Sequence, residues 1–455
     1  MNLTSLKENL GLSSRDAKFF RKLDDQSVEC YLCPRHCKIK DEKGGFCKVR
    51  WNEGGNLKTL NYGVSVQMTQ EVIETEAVNH FAPGTPILSL GNVGCMMNCD
   101  YCHNWKTSQM REVNLKDIHH YTPEQVVATA LEKNIKILSW TYNDPVVWHE
   151  FVYDTAKLAR KHGLINLYKS AFYIGPEAIE ELLEVIDIFS ISLKSLNPEI
   201  YLKTTKGQLQ PVLDGIKQVY KSKRHHLELS NLVVTDSTDK MEEIERLVSW
   251  ILTELDSTVP LHLVRFHPDY KYTYVERTSI EFLKKARERA LEMGLKHCYL
   301  GNVYESGEWL NTHCQSCDEV LVKRFGLQTQ TPGLSSDGSC LNCGQKSSIV
   351  TLSSSPVIPK ISTNDDFTNS KFISWTSEAN AAHLVAKNNS TDSKSFRFRH
   401  LGKEEFSEIG LTPGEKWRFL ISRDNHSSQG IEISFPEQIS VEFLEVLDRA
   451  HFPVS

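Results

Sequence analysis

The chain has 455 residues, a net charge of -6, 40% hydrophobic and 24% charged residues, which allows about two to four domains and is ordinary for a globular protein. No basic excess points to nucleic acid, no uncharged stretch approaches the ~18 residues of a membrane span, and the mixed acids and bases of the first residues do not resemble a signal peptide. Neither nucleic acid nor membrane is therefore expected as a partner, and a cytoplasmic location is expected. Twelve cysteines in such a setting read as metal or cluster ligands rather than disulfides, because intracellular reductants keep thiols reduced.

In chain order, residues 1–80 carry the first cysteine group, Cys30, Cys33, Cys37 and Cys47, among Gly, Lys and Arg, and read as a small metal-stapled module. From 81 to 305, short apolar or β-branched runs alternate with segments of helical period, the pattern of βα units on a parallel sheet. The predicted strands are Pro86–Val93, Lys136–Trp140, Ile165–Ala171, Ile188–Lys194, His226–Val234, Leu261–His267 and His297–Val303. Between them Pro123–Lys133, Val146–His162, Pro176–Ile186, Val212–Lys221, Lys240–Leu255 and Ser279–Met293 are long enough to be the crossover helices. The expected fold class is α/β, a partial (β/α) TIM-type barrel with small cysteine-rich modules on both sides.

Residues 306–346 hold Cys314, Cys317, Cys340 and Cys343, paired C-x2-C spacings that predict a zinc ribbon. Residues 347–370, rich in Ser, Thr, Asn and Asp, read as a linker. Alternation returns in Phe396–His400, Trp417–Ile421 and Gly430–Phe435, and Val441–Ala450 has a helix-like pattern, so residues 371–455 are expected to form a small α+β domain of no legible role. Cys298 stands alone on the seventh strand and reads as a small buried apolar residue.

The chemistry concentrates just after the first strand, where Gly91-Asn-Val-Gly-Cys95-Met-Met-Asn-Cys99-Asp-Tyr-Cys102 places three thiols on one loop with the spacing C-x3-C-x2-C. Iron–sulfur clusters are normally held by four thiolates, so three leave one iron of a cubane open to a cofactor or substrate. The spacing alone leaves a zinc site or buried cysteines as alternatives. Loops at the C-terminal strand ends of parallel barrels are where functional groups gather, and Gly91 and Gly94 let this loop wrap closely. Alternation also aims Glu228 and Ser230 of the fifth strand, and Arg265 and His267 of the sixth, toward the barrel mouth.

These residues resemble the radical S-adenosylmethionine (SAM) superfamily, in its activating-enzyme branch typified by the pyruvate formate-lyase activating enzyme, which Cys102-His103-Asn104 resembles. The likeness to the AmmeMemoRadiSam subgroup is closer. It is carried by Cys30-Tyr-Leu-Cys33-Pro-Arg-His-Cys37, Phe81-Ala-Pro-Gly-Thr, Cys102-His-Asn-Trp-Lys-Thr-Ser-Gln109, Thr141-Tyr-Asn-Asp-Pro145, Phe266-His-Pro-Asp-Tyr270 and Gly301-Asn-Val303.

The resemblance implies a 4Fe-4S cluster on Cys95, Cys99 and Cys102, SAM as cofactor, and a 5′-deoxyadenosyl radical that abstracts hydrogen. It further implies that Asn143 and Asp144 hold the methionine ammonium and that Ser192 and Lys194 meet the SAM carboxylate or ribose. Three departures stand out: Asp144 where relatives carry Glu, Ser192 where they carry Asp, and Ser170-Ala-Phe172 where they tend to carry Thr-Asn-Gly. The acceptor is expected to be a partner protein or a smaller molecule, and the electron donor a flavodoxin or ferredoxin. For Cys30–Cys47 the spacing leaves zinc and an auxiliary iron–sulfur cluster open. The competing function is a non-catalytic electron carrier or metal-stapled interaction protein, which would have no use for Asn143, Asp144 and a polar barrel mouth.

Overall fold

The seven predicted runs do form strands, in the expected order, and a strand not predicted from the sequence, Gln67–Val72, precedes them. In the computed structural model they are β1 (Gln67–Val72), β2 (Pro86–Gly91), β3 (Ile137–Trp140), β4 (Ile165–Ser170), β5 (Ile188–Ser192), β6 (His226–Val233), β7 (Leu261–Arg265) and β8 (Cys298–Gly301). They form one sheet whose spatial order follows the sequence from β1 to β8. The structure describes residues 14–113, 117–303, 307–352, 369–374, 379–391, 394–400, 407–411, 416–422, 430–437 and 439–447. The chain divides into two units, Met1–Thr69 with Pro86–Cys298 and Pro453–Ser455, and Gln70–Thr85 with Tyr299–Phe452.

Strands β2 to β7 belong wholly to the first unit and pair in parallel. Every residue of β2 and β3 is buried, as expected where crossovers cover both faces of a sheet. The crossovers are α1 (Pro123–Glu132), α2 (His149–Lys161, entered through a 3-10 turn at Pro145–Trp148), α3 (Pro176–Val185), α4 (Pro198–Thr205), α5 (Leu209–Lys221), α6 (Met241–Glu254) and α7 (Ile280–Glu292). Helix α1 starts where the sequence says it should. Thr122 and Gln125 exchange side-chain and backbone hydrogen bonds in a capping box, and Pro123 fills the first position. The pairing Trp140 with Leu90 and Tyr168, and Ser192 with Ser230, brings the loops after β2, β3, β4 and β5 out on one rim.

The N-terminal module of this unit consists of two small antiparallel sheets. One joins Phe20–Lys22, Val28–Cys30 and Cys37–Ile39; the other joins Arg15–Asp16, Asn56–Thr59 and Arg50–Glu53. A bidentate ion pair from the Arg50 guanidinium to Glu150 at 2.8 and 2.9 Å, buried on both sides, ties it to the first turn of α2. The Lys18 amide donates to the same carboxylate at 2.8 Å.

In the second unit, Thr312–His313, Val320–Phe325 and Gln328–Gln330 form a three-stranded sheet beside the last four cysteines. The buried Arg324 joins Glu74, the carbonyls of Asn79 and Leu310, and the Thr312 hydroxyl, which is why Gln70–Thr85 packs with this unit. Val350 donates its amide to the His80 carbonyl at 2.8 Å, and Ser347 bonds Gly338. The start of the stretch expected as a linker is thus packed, and its residues 353–368 lie outside the described ones.

The C-terminal region departs from the α+β expectation: among the described residues it holds strands only, in two antiparallel sheets. Of Val441–Ala450, expected as a helix, the described part up to Leu447 belongs instead to the strand Ile439–Leu447, paired with Ala379–Asn388, and residues 448–450 lie outside the described ones. Its apolar residues Val441, Phe443, Leu444, Val446 and Leu447 satisfy both periods. An adjacent strand supplies the ladder that decides between them.

Candidate active site

The loop between β2 and the short helix Trp105–Ser108 carries Cys95, Cys99 and Cys102. It can run close to the N-terminal module because Gly94 has a φ of +87°, and a Cβ there would come within 2.9 Å of the Val49 side chain and 3.0 Å of the Cys47 carbonyl. Asparagines fix its two ends. Asn143 Oδ1 accepts from the Asn92 amide and side chain, both at 3.1 Å, and Asn143 Nδ2 donates to the Gly94 carbonyl at 2.7 Å. Asn104 donates to the Tyr142 carbonyl. Asn143, expected to touch SAM, is therefore committed to pinning the cysteine loop. Asn92 and Asn104, which sequence reasoning passed over, share that task; their adjacency to the cysteines within the motif was the available signal.

Burial pushes the Cys95 thiol well above its ordinary range, with the Asp144 carboxylate adding to the effect. Burial likewise raises Cys102, and raises Cys99 to about 12 against the opposing influence of the Lys194 ammonium. Thiols so placed ionise when a metal compensates the charge. The three do not form one of the tight sets whose ligand atoms all lie within 4.8 Å of one another, so the wide donor set suits a multi-iron cluster better than a single ion.

Asp144 is buried at 2% exposure and accepts three hydrogen bonds, from the Val146 amide at 3.1 Å, the Ser170 hydroxyl at 2.9 Å and the Ala171 amide at 2.8 Å. It caps the turn Pro145–Trp148 as well as facing the thiols. Burial raises its pKa to about 6 despite the three donors and Lys194.

Lys194, just past β5, lies within electrostatic reach of Cys99, Cys102, His103 and Asp144. It is half-buried and, among the described residues, takes part in no hydrogen bond or ion pair. Ser192, two residues earlier, bonds the Ser230 hydroxyl at 3.0 Å. Ser230 in turn receives the Lys169 ammonium at 2.9 Å, which also reaches Ser190 at 3.0 Å. Lys169 was not anticipated; a lysine within the largely buried strand β4 was its signal.

The motif 266–270 packs on the cysteine loop. The rings of His267 and His103 stack at 3.6 Å, His103 Nε2 lies 3.1 Å from the His267 carbonyl, and Trp105 stacks on Tyr270 while donating to Asp269 at 3.1 Å. Burial lowers His103 to about 4, so its ring is neutral. Arg265 donates to the Thr278 carbonyl at 2.8 Å, closing the same corner. Glu228 is elsewhere. It sits in the first half of β6, fully buried, held by His226 at 2.8 Å and His262 at 2.7 Å. Burial works against its charge, but these two hydrogen bonds hold the carboxyl well below the usual range.

The ribbon cysteines are close-set. Cys314 and Cys343 sulfurs are 3.6 Å apart, those of Cys317 and Cys340 3.7 Å, and all four lie within 4.8 Å of one another. Tetrahedral zinc with Zn–S of about 2.3 Å needs sulfurs about 3.8 Å apart, so this set can hold one ion. The Glu319 amide and then the Asn342 side chain lower Cys317 to about 7. Among the described residues, no helix is long and apolar enough to cross a membrane.

The family model of the radical SAM superfamily matches residues 90–251, which include the cysteine loop, Asn143, Asp144, Ser192, Lys194 and Glu228. An uncharacterized protein of Methanocaldococcus jannaschii is 38% identical over 339 residues, 74% of this chain and 99% of that protein. The pyruvate formate-lyase-activating enzyme of Listeria monocytogenes is 23% identical over 215 residues, 45% of this chain and 85% of the relative. The pyruvate formate-lyase 1-activating enzyme of Escherichia coli is 24% identical over 209 residues, 44% and 82% respectively. With three thiols on the loop after the first barrel strand and these relatives, the chain belongs to the radical SAM superfamily and is an enzyme of the kind resembling pyruvate formate-lyase activating enzymes.

Proposed function

We propose that this enzyme holds a 4Fe-4S cluster on Cys95, Cys99 and Cys102 and binds SAM at the rim formed by the loops after β2 to β5. The observation that carries this reading is the convergence of three half-buried thiols, the buried Asp144 and Lys194, which has no hydrogen-bond partner among the described residues, at one end of the parallel sheet. When bound, the cluster and SAM supply reductive cleavage to methionine and a 5′-deoxyadenosyl radical that abstracts hydrogen.

The chain's own residues bind and orient. Lys194 offers an ammonium to the SAM carboxylate, as half-buried cations do for anionic partners. Asp144, whose charge also reaches Cys95 and Cys99, favours the methionine ammonium. Asn92, Asn104 and Asn143 keep the loop in place, and His103, neutral and stacked on His267, sits beside Cys102 without adding charge of its own. Glu228, enclosed by histidines, has a structural role in this reading rather than the cofactor contact expected from alternation.

The likeness to activating enzymes supports a partner protein as hydrogen donor, with a small molecule as the other substrate class, and a flavodoxin or ferredoxin as reductant. The ribbon cysteines read as a structural zinc site.

The test is anaerobic incubation of the reconstituted enzyme with SAM and dithionite, followed by chromatography for 5′-deoxyadenosine. The product is expected from the wild type and absent from Cys99→Ala, while zinc at the ribbon stays bound. Undiminished product from Cys99→Ala would overturn the assignment of the loop.

A further inference from the structure

Cys30, Cys33, Cys37 and Cys47 surround one cavity in the N-terminal module, and its shape differs from that of the ribbon site. The hairpin strands Val28–Cys30 and Cys37–Ile39 place Cys30 opposite Cys37. A tight turn at Cys33–His36 and another at Gly45–Lys48 bring in the remaining two thiols. Yet the four do not form a set with ligand atoms all within 4.8 Å of one another, whereas the ribbon quartet does. A single tetrahedral ion draws its sulfurs to about 3.8 Å. A cluster holds its thiolates further apart, because separate irons lie between them. The Cys95, Cys99 and Cys102 thiols are likewise absent from the close-set groups. Within one chain, then, the wide spacing goes with the loop whose family implies a cluster, and the narrow spacing with the ribbon.

The surroundings point the same way. The four thiols line one space of about 20 Å³ together with Leu32, Ile39, Phe46, Val146 and Val147. Arg50 lines it too and is 1% exposed. Its terminal nitrogens are spent on Glu150 and the Lys18 carbonyl, but its Nε is buried and has no hydrogen-bond partner among the described residues. Hydrogen bonds to cluster sulfurs are a recognised means of setting cluster properties, and a buried donor without a partner costs free energy. Arg35 and Met96 complete the lining. Arg35 Nε donates to the Met96 carbonyl at 2.6 Å, and Met96 follows Cys95 directly, so this cavity backs onto the central cysteine loop.

We infer that Cys30, Cys33, Cys37 and Cys47 hold a second iron–sulfur cluster, not a structural zinc ion, with Arg50 Nε–H donating to one of its sulfurs. The inference concerns occupancy alone and uses the proposed central cluster only as the standard of spacing.

The test uses the full chain with Cys95, Cys99 and Cys102 all replaced by Ala, purified anaerobically and reconstituted with iron and sulfide. Iron, acid-labile sulfide and zinc are counted, and the dithionite-reduced sample is examined by electron paramagnetic resonance. The triple variant is expected to keep about half of the wild-type iron with matching sulfide, zinc only at the ribbon, and a cluster signal that SAM leaves unchanged. A folded triple variant, judged by circular dichroism and ribbon zinc, that binds zinc and no iron at the quartet would overturn the inference. Should the triple variant fail to fold, the wild type decides: two cluster signals, one shifted by SAM and one not, support it, and one signal with iron for a single cubane refutes it. Because 5′-deoxyadenosine formation by the wild type tests the central site separately, the two readings can fail independently.

Discussion

Replacing Lys194 by Ala should weaken SAM binding far more than it disturbs the protein. The ammonium is half-buried, faces Cys99, Cys102 and Asp144, and makes no hydrogen bond among the described residues, so its removal leaves no protein acceptor orphaned. A hydrogen bond involving a charged group contributes about 1.5–3 kcal/mol, and about 1.4 kcal/mol corresponds to a tenfold change in affinity. Loss of the Lys194 contact should therefore raise the SAM dissociation constant by about 10- to 100-fold, with iron and sulfide content unchanged. Equilibrium dialysis with labelled SAM on cluster-loaded enzyme measures it directly. Lys194→Arg, which keeps the charge but alters reach and geometry, should recover part of the loss. A Lys194→Ala enzyme that binds SAM within threefold of wild type would refute the placement of the SAM carboxylate beside this lysine.

Three other perturbations have defined outcomes. Glu228→Gln removes a buried carboxylate held by His226 and His262 and should cost about 1–3 kcal/mol of stability near neutral pH. Since the folded-state pKa is depressed, the wild-type advantage is full above the unfolded value of about 4.3 and fades as pH falls below it; thermal midpoints across pH 3 to 7 for both proteins check this, and a difference independent of pH counts against it. Cys317→Ser should release the ribbon metal, read as one zinc lost per chain by elemental analysis while iron is retained; unchanged zinc would remove the site. Gly94→Ala forces a methyl against Val49 and the Cys47 carbonyl at a φ of +87°, so iron retention by the central loop should fall severalfold, and full retention would show that the loop does not need this close approach.

The order and kind of the elements from Pro86 onward were legible because most strands are short β-branched or apolar runs and the long crossovers are amphipathic stretches, two of them opened by a side-chain cap, at Thr122 and at Ser279. The cysteine groups were legible because ligand spacing within one loop is a local property. Three things were not. The strand at Ile439–Leu447 carries apolar residues compatible with helix or strand, and only its partner Ala379–Asn388 decides. Glu228 alternates toward the barrel interior, but the histidines that enclose it come from position 226 of its own strand and position 262 of the next, a pairing set by register between distant segments. Asn143 and Asp144 follow β3 in sequence, yet their hydrogen bonds go to Asn92, Gly94, Ser170 and Ala171.

By itself, then, the sequence determined the family, the βα order and the grouping of the cysteines along the chain, since all three depend on neighbours a few residues apart. The tertiary structure alone decided how far apart the thiols of each group stand, which polar groups at the rim are already satisfied, and that Lys194 has no hydrogen-bond partner among the described residues. Those properties arise from segments dozens to hundreds of residues apart meeting in one place, where burial and competing hydrogen bonds set the energy of every charge.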